Sequence, residues 1–86
     1  FILKEITIPQ SVTVIRDFAF DGCVCLQEVK IQSSLQSIGK FAFNECKSLA
    51  SISLPSSLQS IGECAFNGCI KLLKIEIPST VQSIGG

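Results

Sequence analysis

The 86-residue chain contains no histidine, methionine, tryptophan or tyrosine. Without histidine, the usual Cys–His nucleophile pair cannot form and a metal site loses its commonest nitrogen ligand. Five cysteines remain, but none is in a C-x-x-C pair, and the lone C-x-C of Cys23-Val24-Cys25 falls short of zinc spacing. Charge is sparse as well. Seven basic and seven acidic residues cancel to a formal net charge of zero, with no run of one sign, so nothing marks a nucleic-acid or anionic-lipid surface. No apolar stretch approaches the roughly 20 residues of a membrane span, and the N-terminus lacks the basic-then-apolar plan of a secretory leader. With no methionine and an opening on Phe1-Ile2-Leu3, the chain is expected to be part of a longer product.

What is present is apolar: 47% hydrophobic against 16% charged residues, with six phenylalanines, a balance that excludes disorder. A globule this short buries a core of its own only marginally. The sequence solves this by repetition. Leu3, Leu26, Leu49 and Leu72 recur every 23 residues, as do Ile6, Val29, Ile52 and Ile75, then Ile15, Ile38, Ile61 and Ile84. Phe20, Phe43 and Phe66 keep the same step, as do Cys23, Cys46 and Cys69. The units are 3–25, 26–48, 49–71 and a partial 72–86, one solenoid segment. A fixed lattice of apolar positions is what stacked coils require, because each buried row must continue through the next turn of chain.

Within each unit, "EITI", "EVKI", "SISL" and "KIEI" alternate with a period of two and predict a short strand whose Ile, Val and Leu side chains point inward. Parallel stacking puts equivalent residues about 4.8 Å apart. Pro9, Pro55 and Pro78 stop the strand, and Gln32 takes that place in the second unit. A second extended stretch, V-x-x-I, runs into Gly39, Gly62 and Gly85, where a positive φ is expected; Arg16 breaks the rule. A-F-x-x-C suits a short helical or 3₁₀ turn with Gly22 and Gly68 as left-handed exits, and Glu45 at the same place is expected to be strained.

The pattern L-x-x-I-x-I-P-x-x-V-x-x-I-G-x-x-A-F-x-x-C resembles the BspA-like, or Treponema-type, leucine-rich repeats over essentially the whole chain. The departures are Gln32 for proline, Arg16 for glycine, and Cys64 in the row of Phe18 and Phe41. The resemblance implies a curved leucine-rich-repeat solenoid with a parallel sheet on one face. It also implies a place at the cell surface or outside the cell, in proteins linked to adhesion or to binding other proteins.

Three readings of the cysteines compete. Metal binding lacks ligands. Disulfides between Cys23, Cys46 and Cys69 are allowed by a Cα spacing of about 5 Å, but three cannot pair completely and stacked side chains point the same way. Buried free thiols acting as small apolar filler are favoured. Cys64 reads as a smaller core residue and Cys25 as the reactive thiol.

The outward strand rows Glu5, Glu28, Ser51, Lys74 and Thr7, Lys30, Ser53, Glu76 form a mixed polar face. These eight residues are the candidate partner-binding surface. No catalytic residues, cofactor or metal are expected, because a flat face offers no desolvated pocket for an acid–base pair. Asp17, Lys40 and Glu63 alternate in sign, Gln36, Gln59 and Gln82 suggest an amide ladder, and Asn44 and Asn67 read as turn formers. Apolar rows run through to both ends, so the segment is expected to be uncapped. Two functions follow: a protein-interaction or adhesion module, or a structural segment whose copies stack end to end into a fibre.

Overall fold

In the computed structural model, which describes residues 4–31, 34–73 and 75–85, the repeat unit becomes one coil of a solenoid. Each coil begins with the alternating strand: β1 (Glu5–Ile8), β3 (Glu28–Ile31) and β5 (Ser51–Ile52) pair in parallel in the order β1-β3-β5. Ile6 faces Val29 and Val29 faces Ile52, so the register is the 23-residue step itself. The second extended stretch supplies another parallel sheet, with β2 (Val14–Ile15), β4 (Ser37–Ile38), β6 (Ser60–Ile61) and β7 (Ser83–Ile84) in that order. The fold is therefore a leucine-rich-repeat solenoid with two parallel sheets. Its dimensions are 32 × 27 × 22 Å.

Corners are set by hydrogen bonds between residues three apart. The carbonyls of Pro9, Pro55 and Pro78 accept from the N–H of Val12, Leu58 and Val81 at 3.0, 3.1 and 3.1 Å. Proline thus ends the strand, having no N–H for the ladder, and begins the turn. Gln32, the exception in this row, lies outside the described residues. Cys23, Cys46 and Cys69 close the opposite corner by accepting from Leu26, Leu49 and Leu72, each at 3.1 Å.

The A-F-x-x-C segment is not helical, in contrast to the sequence expectation; among the described residues no helix forms. In the first coil, Ala19, Asp21 and Cys23 donate back to Arg16, Phe18 and Phe20, while Phe18, Phe20 and Gly22 donate outward to Lys40, Ala42 and Asn44 of the next coil. Alternate N–H groups thus serve the coil and its neighbour in turn, whereas a 3₁₀ turn would keep them all at home. In the first coil the first and last of these three turns have a left-handed residue at the third position, as type II turns do. Gly22 and Gly68 adopt φ of 77° and 79° as expected. Glu45 has φ 58°, and Phe18, Phe41 and Cys64 have 61°, 56° and 56°, a second left-handed row that side-chain identity concealed.

Glu45 carries the strain anticipated for it. A left-handed non-glycine residue costs about 1–2 kcal/mol, part of which glycine returns through unfolded-state entropy. Glu45→Gly is expected to raise stability by about 0.5–1 kcal/mol, measured as a higher urea midpoint; an unchanged or lower midpoint would show the position to be unstrained.

The core runs between the two sheets and the turns, and all of it is apolar. Leu26, Leu35, Ala42, Phe43, Cys46, Leu49 and Leu58 are completely buried, and among the described residues no polar side chain is buried with them. Phe20, Phe43 and Phe66 stack in one column with ring centroids 5.2 and 5.5 Å apart. Phe18 and Phe41 form a second stack at 5.2 Å, but this column is peripheral, with Phe18 56% exposed. Cys64, which continues that row, is half-buried and not part of the core.

The glycines after V-x-x-I correct another expectation. Gly39, Gly62 and Gly85 do not have positive φ. A Cβ on Gly39 would lie 2.5 Å from the Asp17 nitrogen, and one on Gly62 would lie 2.5 Å from the Gly39 carbonyl carbon and the Lys40 nitrogen; one on Gly85 would overlap the Glu63 backbone. Glycine is required because adjacent coils come together at this row.

Candidate functional site

The sequence-predicted face forms on the β1-β3-β5 sheet, where Glu5, Glu28 and Ser51 lie in one register row and Thr7 faces Lys30. Glu5, Thr7, Lys30, Ser51, Ser53 and Glu76 are exposed and Glu28 is half-buried; Lys74 lies outside the described residues. Lys30 Nζ is 3.8 Å from Glu5 Oε1, with both side chains 56% exposed, so the pair contributes about 0–1 kcal/mol and is broken by salt. Ser53 and Glu76 border a shallow recess of about 360 Å³ with Ile52 and Leu54.

The larger concavity, about 900 Å³, lies on the other sheet. It is lined by Val14, Ser37 and Ser60, the outward positions of β2, β4 and β6, by Arg16, Gly39, Gly62 and Gly85, and by Asp17, Lys40 and Glu63. Ile15, Ile38 and Ile61 alternate with the outward residues and are buried beneath them. Sequence reading noted the alternating charges but not the groove. The signal was the conjunction of a glycine row with a serine row two residues before it.

Side-chain ladders fix the geometry along the stack. Asn67 Nδ2 donates to Asn44 Oδ1 at 2.9 Å and Asn44 Nδ2 to Asp21 Oδ1 at 3.0 Å. The amide ladder therefore runs through the asparagines, and Asp21 is its acceptor end. A hydroxyl row, unnoticed in the sequence, works similarly: Ser57 Oγ and Thr80 Oγ1 donate to the Leu35 and Leu58 carbonyls at 2.6 and 2.7 Å. Lys40 N donates to Asp17 Oδ1 at 2.8 Å, holding that carboxylate against Gly39.

All five cysteines are free thiols. The inner row has a bonding role beyond filling space: Cys46 Sγ donates to the Phe20 carbonyl and Cys69 Sγ to the Phe43 carbonyl, each at 3.1 Å. Burial pushes the Cys46 thiol up to about 12, reinforced by neighbouring Cys69 and Cys23. Burial also raises Cys23 and Cys69. Cys25 is the exposed thiol, as expected. Among the described residues, no group of three or more His, Cys, Asp or Glu side chains gathers to hold a metal.

These shifts fix a pH response. Below pH 9, Cys46 is protonated in both folded and unfolded chains and contributes no slope. Above the ordinary thiol value of 9.0, the unfolded thiol ionises while the folded one keeps its proton to about 12, so stability falls as pH rises through that window. The denaturation midpoint is expected to decline from pH 9 to 11, and less steeply in Cys46→Ala; parallel slopes would assign the loss to other groups.

The sequence matches the family described as BspA type Leucine rich repeat region (6 copies) over residues 2–86. The chain belongs to the BspA-type leucine-rich-repeat family. It is similar to the T. pallidum Leucine Rich Repeat protein in its crystal structure, with 35% identity and a TM-score of 0.92, covering 96% of this chain and 41% of that one. It is also similar to a leucine-rich repeat protein from Bacteroides ovatus ATCC 8483, with 32% identity and a TM-score of 0.63, covering 91% of this chain and 26% of that one. The segment thus spans less than half the length of either solved relative. No curated protein matches it. A BspA-type solenoid is a repeat scaffold for protein interaction, and the extended concave surface such stacking creates is its usual means of contact. No described helix is long and apolar enough to cross a membrane.

Proposed function

We propose that the segment is a protein-binding module of a surface-associated, adhesive leucine-rich-repeat protein, and that it holds an extended stretch of its partner in the groove of the second sheet. The observation that carries this reading is the concavity that Gly39, Gly62 and Gly85 line together with the hydroxyls of Ser37 and Ser60 and the alternating charges of Asp17, Lys40 and Glu63. Serine hydroxyls both donate and accept, so Ser37 and Ser60 can meet either polar group of a partner's main chain. Lys40 and Glu63 supply opposite charges for its side chains. A lining of glycines and small polar side chains favours a polypeptide over a small rigid ligand. Nothing in this mechanism calls for catalysis or a cofactor. The polar face of Glu5, Thr7, Glu28, Lys30, Ser51, Ser53, Lys74 and Glu76 is the competing contact surface.

Ser37→Arg with Ser60→Arg fills the groove, and Thr7→Arg with Ser53→Arg alters the other face. Surface plasmon resonance of the full-length protein over a panel of immobilised extracellular proteins is expected to find a ligand whose affinity falls at least tenfold with the first pair and is unchanged by the second. The reverse pattern moves the contact to the β1-β3-β5 face, and no binding to any panel member removes the module reading.

End-to-end stacking of copies into a fibre is the second reading. It draws on exposed apolar side chains in the first coil, Phe18 and Val24, and in the later part of the stack, Ile70 of the third coil and Leu73, Ile77 and Ile84 of the last. Negative-stain electron microscopy separates threads from discrete particles.

A further inference from the structure

Asp17, Lys40 and Glu63 line the concavity of the second sheet, and their spacing is set by the stack. They follow β2, β4 and β6, whose Ile15, Ile38 and Ile61 pair in register. Neighbouring strands lie about 4.8 Å apart, so Asp17 and Glu63 stand about 9.6 Å apart along the stack, with Lys40 midway. Lys40 and Glu63 are exposed, and among the described residues neither is joined in an ion pair. One Asp17 oxygen accepts from Lys40 N, and the carboxylate keeps its charge.

The backbone of this sheet is committed to the stack. Gly39, Gly62 and Gly85 donate to the Ile15, Ile38 and Ile61 carbonyls at 2.7, 2.7 and 2.9 Å, and Gln36, Gln59 and Gln82 donate to Thr13, Gln36 and Gln59. A strand joins a sheet through an unpaired edge, and the interior of the stack has none. The occupant must therefore bring a main chain that needs no ladder. A polyproline II helix is such a chain, because it makes no internal hydrogen bonds and its carbonyls stay open to outside donors. Ser37 and Ser60 can supply those donors. Both line the concavity, and among the described residues neither hydroxyl has a hydrogen-bond partner.

Spacing decides between the extended forms. Along a β-strand, side chains on one face recur about every 6.7 Å, and residues three apart, about 10 Å, face opposite ways. Along a polyproline II helix three residues make one turn of about 9.3 Å, so positions i and i+3 share a face. That turn matches the separation of Asp17 and Glu63. We infer that the groove takes a proline-rich polyproline II segment whose basic residues at i and i+3 meet Asp17 and Glu63, with an acidic residue between them for Lys40. This rests on the groove being the contact surface and adds the class of its occupant. Salt weakens the contact, since all three charges are exposed.

The test is fluorescence anisotropy of labelled proline-rich peptides with the full-length protein. One peptide has lysines three apart flanking a glutamate, and the other has the same composition with the lysines two apart. The first is expected to bind about fivefold more tightly, the ratio that one exposed ion pair supplies at its strongest. Glu63→Lys is expected to erase that preference, and a peptide with glutamate in place of the lysine at i+3 is expected to recover binding to this variant. Ser37→Arg with Ser60→Arg is expected to abolish binding of every peptide. Equal affinity for the two spacings, or a preference that survives Glu63→Lys, overturns the inference; if the serine pair still abolishes that binding, the groove remains the contact surface for another occupant. Binding indifferent to the serine pair removes the groove as well. If no peptide binds, the polyproline II occupant is overturned, and the panel of extracellular proteins decides the groove separately.

Discussion

Replacing Phe43 by alanine is expected to lower stability by about 3 to 5 kcal/mol, the range for removing a fully enclosed phenyl ring. Phe43 has no exposed surface and stacks on Phe20 at 5.2 Å and Phe66 at 5.5 Å. Its removal leaves a hole in the middle coil that both neighbours line and neither can fill, because their rings are tied to their own backbones. Phe18→Ala is the control. That ring is 56% exposed and has one stacking partner, so its loss should cost on the order of 1 kcal/mol. Urea denaturation of the two variants measures the difference, and equal midpoints would contradict the central position of the Phe43 column.

Gly62→Ala is expected to cost about 3 kcal/mol, at the upper end for overpacking, although it adds one methyl group. The methyl would lie 2.5 Å from the Gly39 carbonyl carbon and the Lys40 nitrogen. Backbone cannot rotate aside, so the coils must part, lengthening bonds such as Gly62 N to the Ile38 carbonyl at 2.7 Å. Gly22→Ala offers the contrast: nothing lies within 4 Å of its Cβ, and its φ of 77° is the sole obstacle, worth about 1–2 kcal/mol. Arg16→Ala, at an exposed position, should fall within about 0.5 kcal/mol of the parent. If Gly62→Ala were no worse than Gly22→Ala, the cause would be backbone conformation and not the meeting of coils.

Much of the fold was legible because stacking imposes one environment on every residue of a row. Ile6, Val29 and Ile52 announced a strand and its register together, and Pro9, Pro55 and Pro78 marked where it turns. The turn segment misled because A-F-x-x-C satisfies a helical turn as well as it does chained turns. The choice depends on where alternate N–H groups are bonded, and the acceptors lie in the next coil, 22 residues away, as from Phe18 to Lys40. Left-handed φ was readable at Gly22 and Gly68, where glycine signals it, and unreadable at Phe18 and Phe41, where intercoil hydrogen bonds hold an unfavourable conformation.

The candidate site was half legible. Exposure of the strand face followed from alternation, but alternation says nothing of curvature. The groove escaped notice because glycine and serine bear no chemistry of their own until they are placed side by side.

By itself the sequence determined that the chain is a stack of coils, the length of each coil and which residues share a column, since a constant step in sequence becomes a constant translation in space. Only the tertiary structure decided where the larger concavity lies and why glycine follows V-x-x-I. These depend on how closely backbones pass and in which direction each Cβ leaves them, and a repeat pattern carries neither.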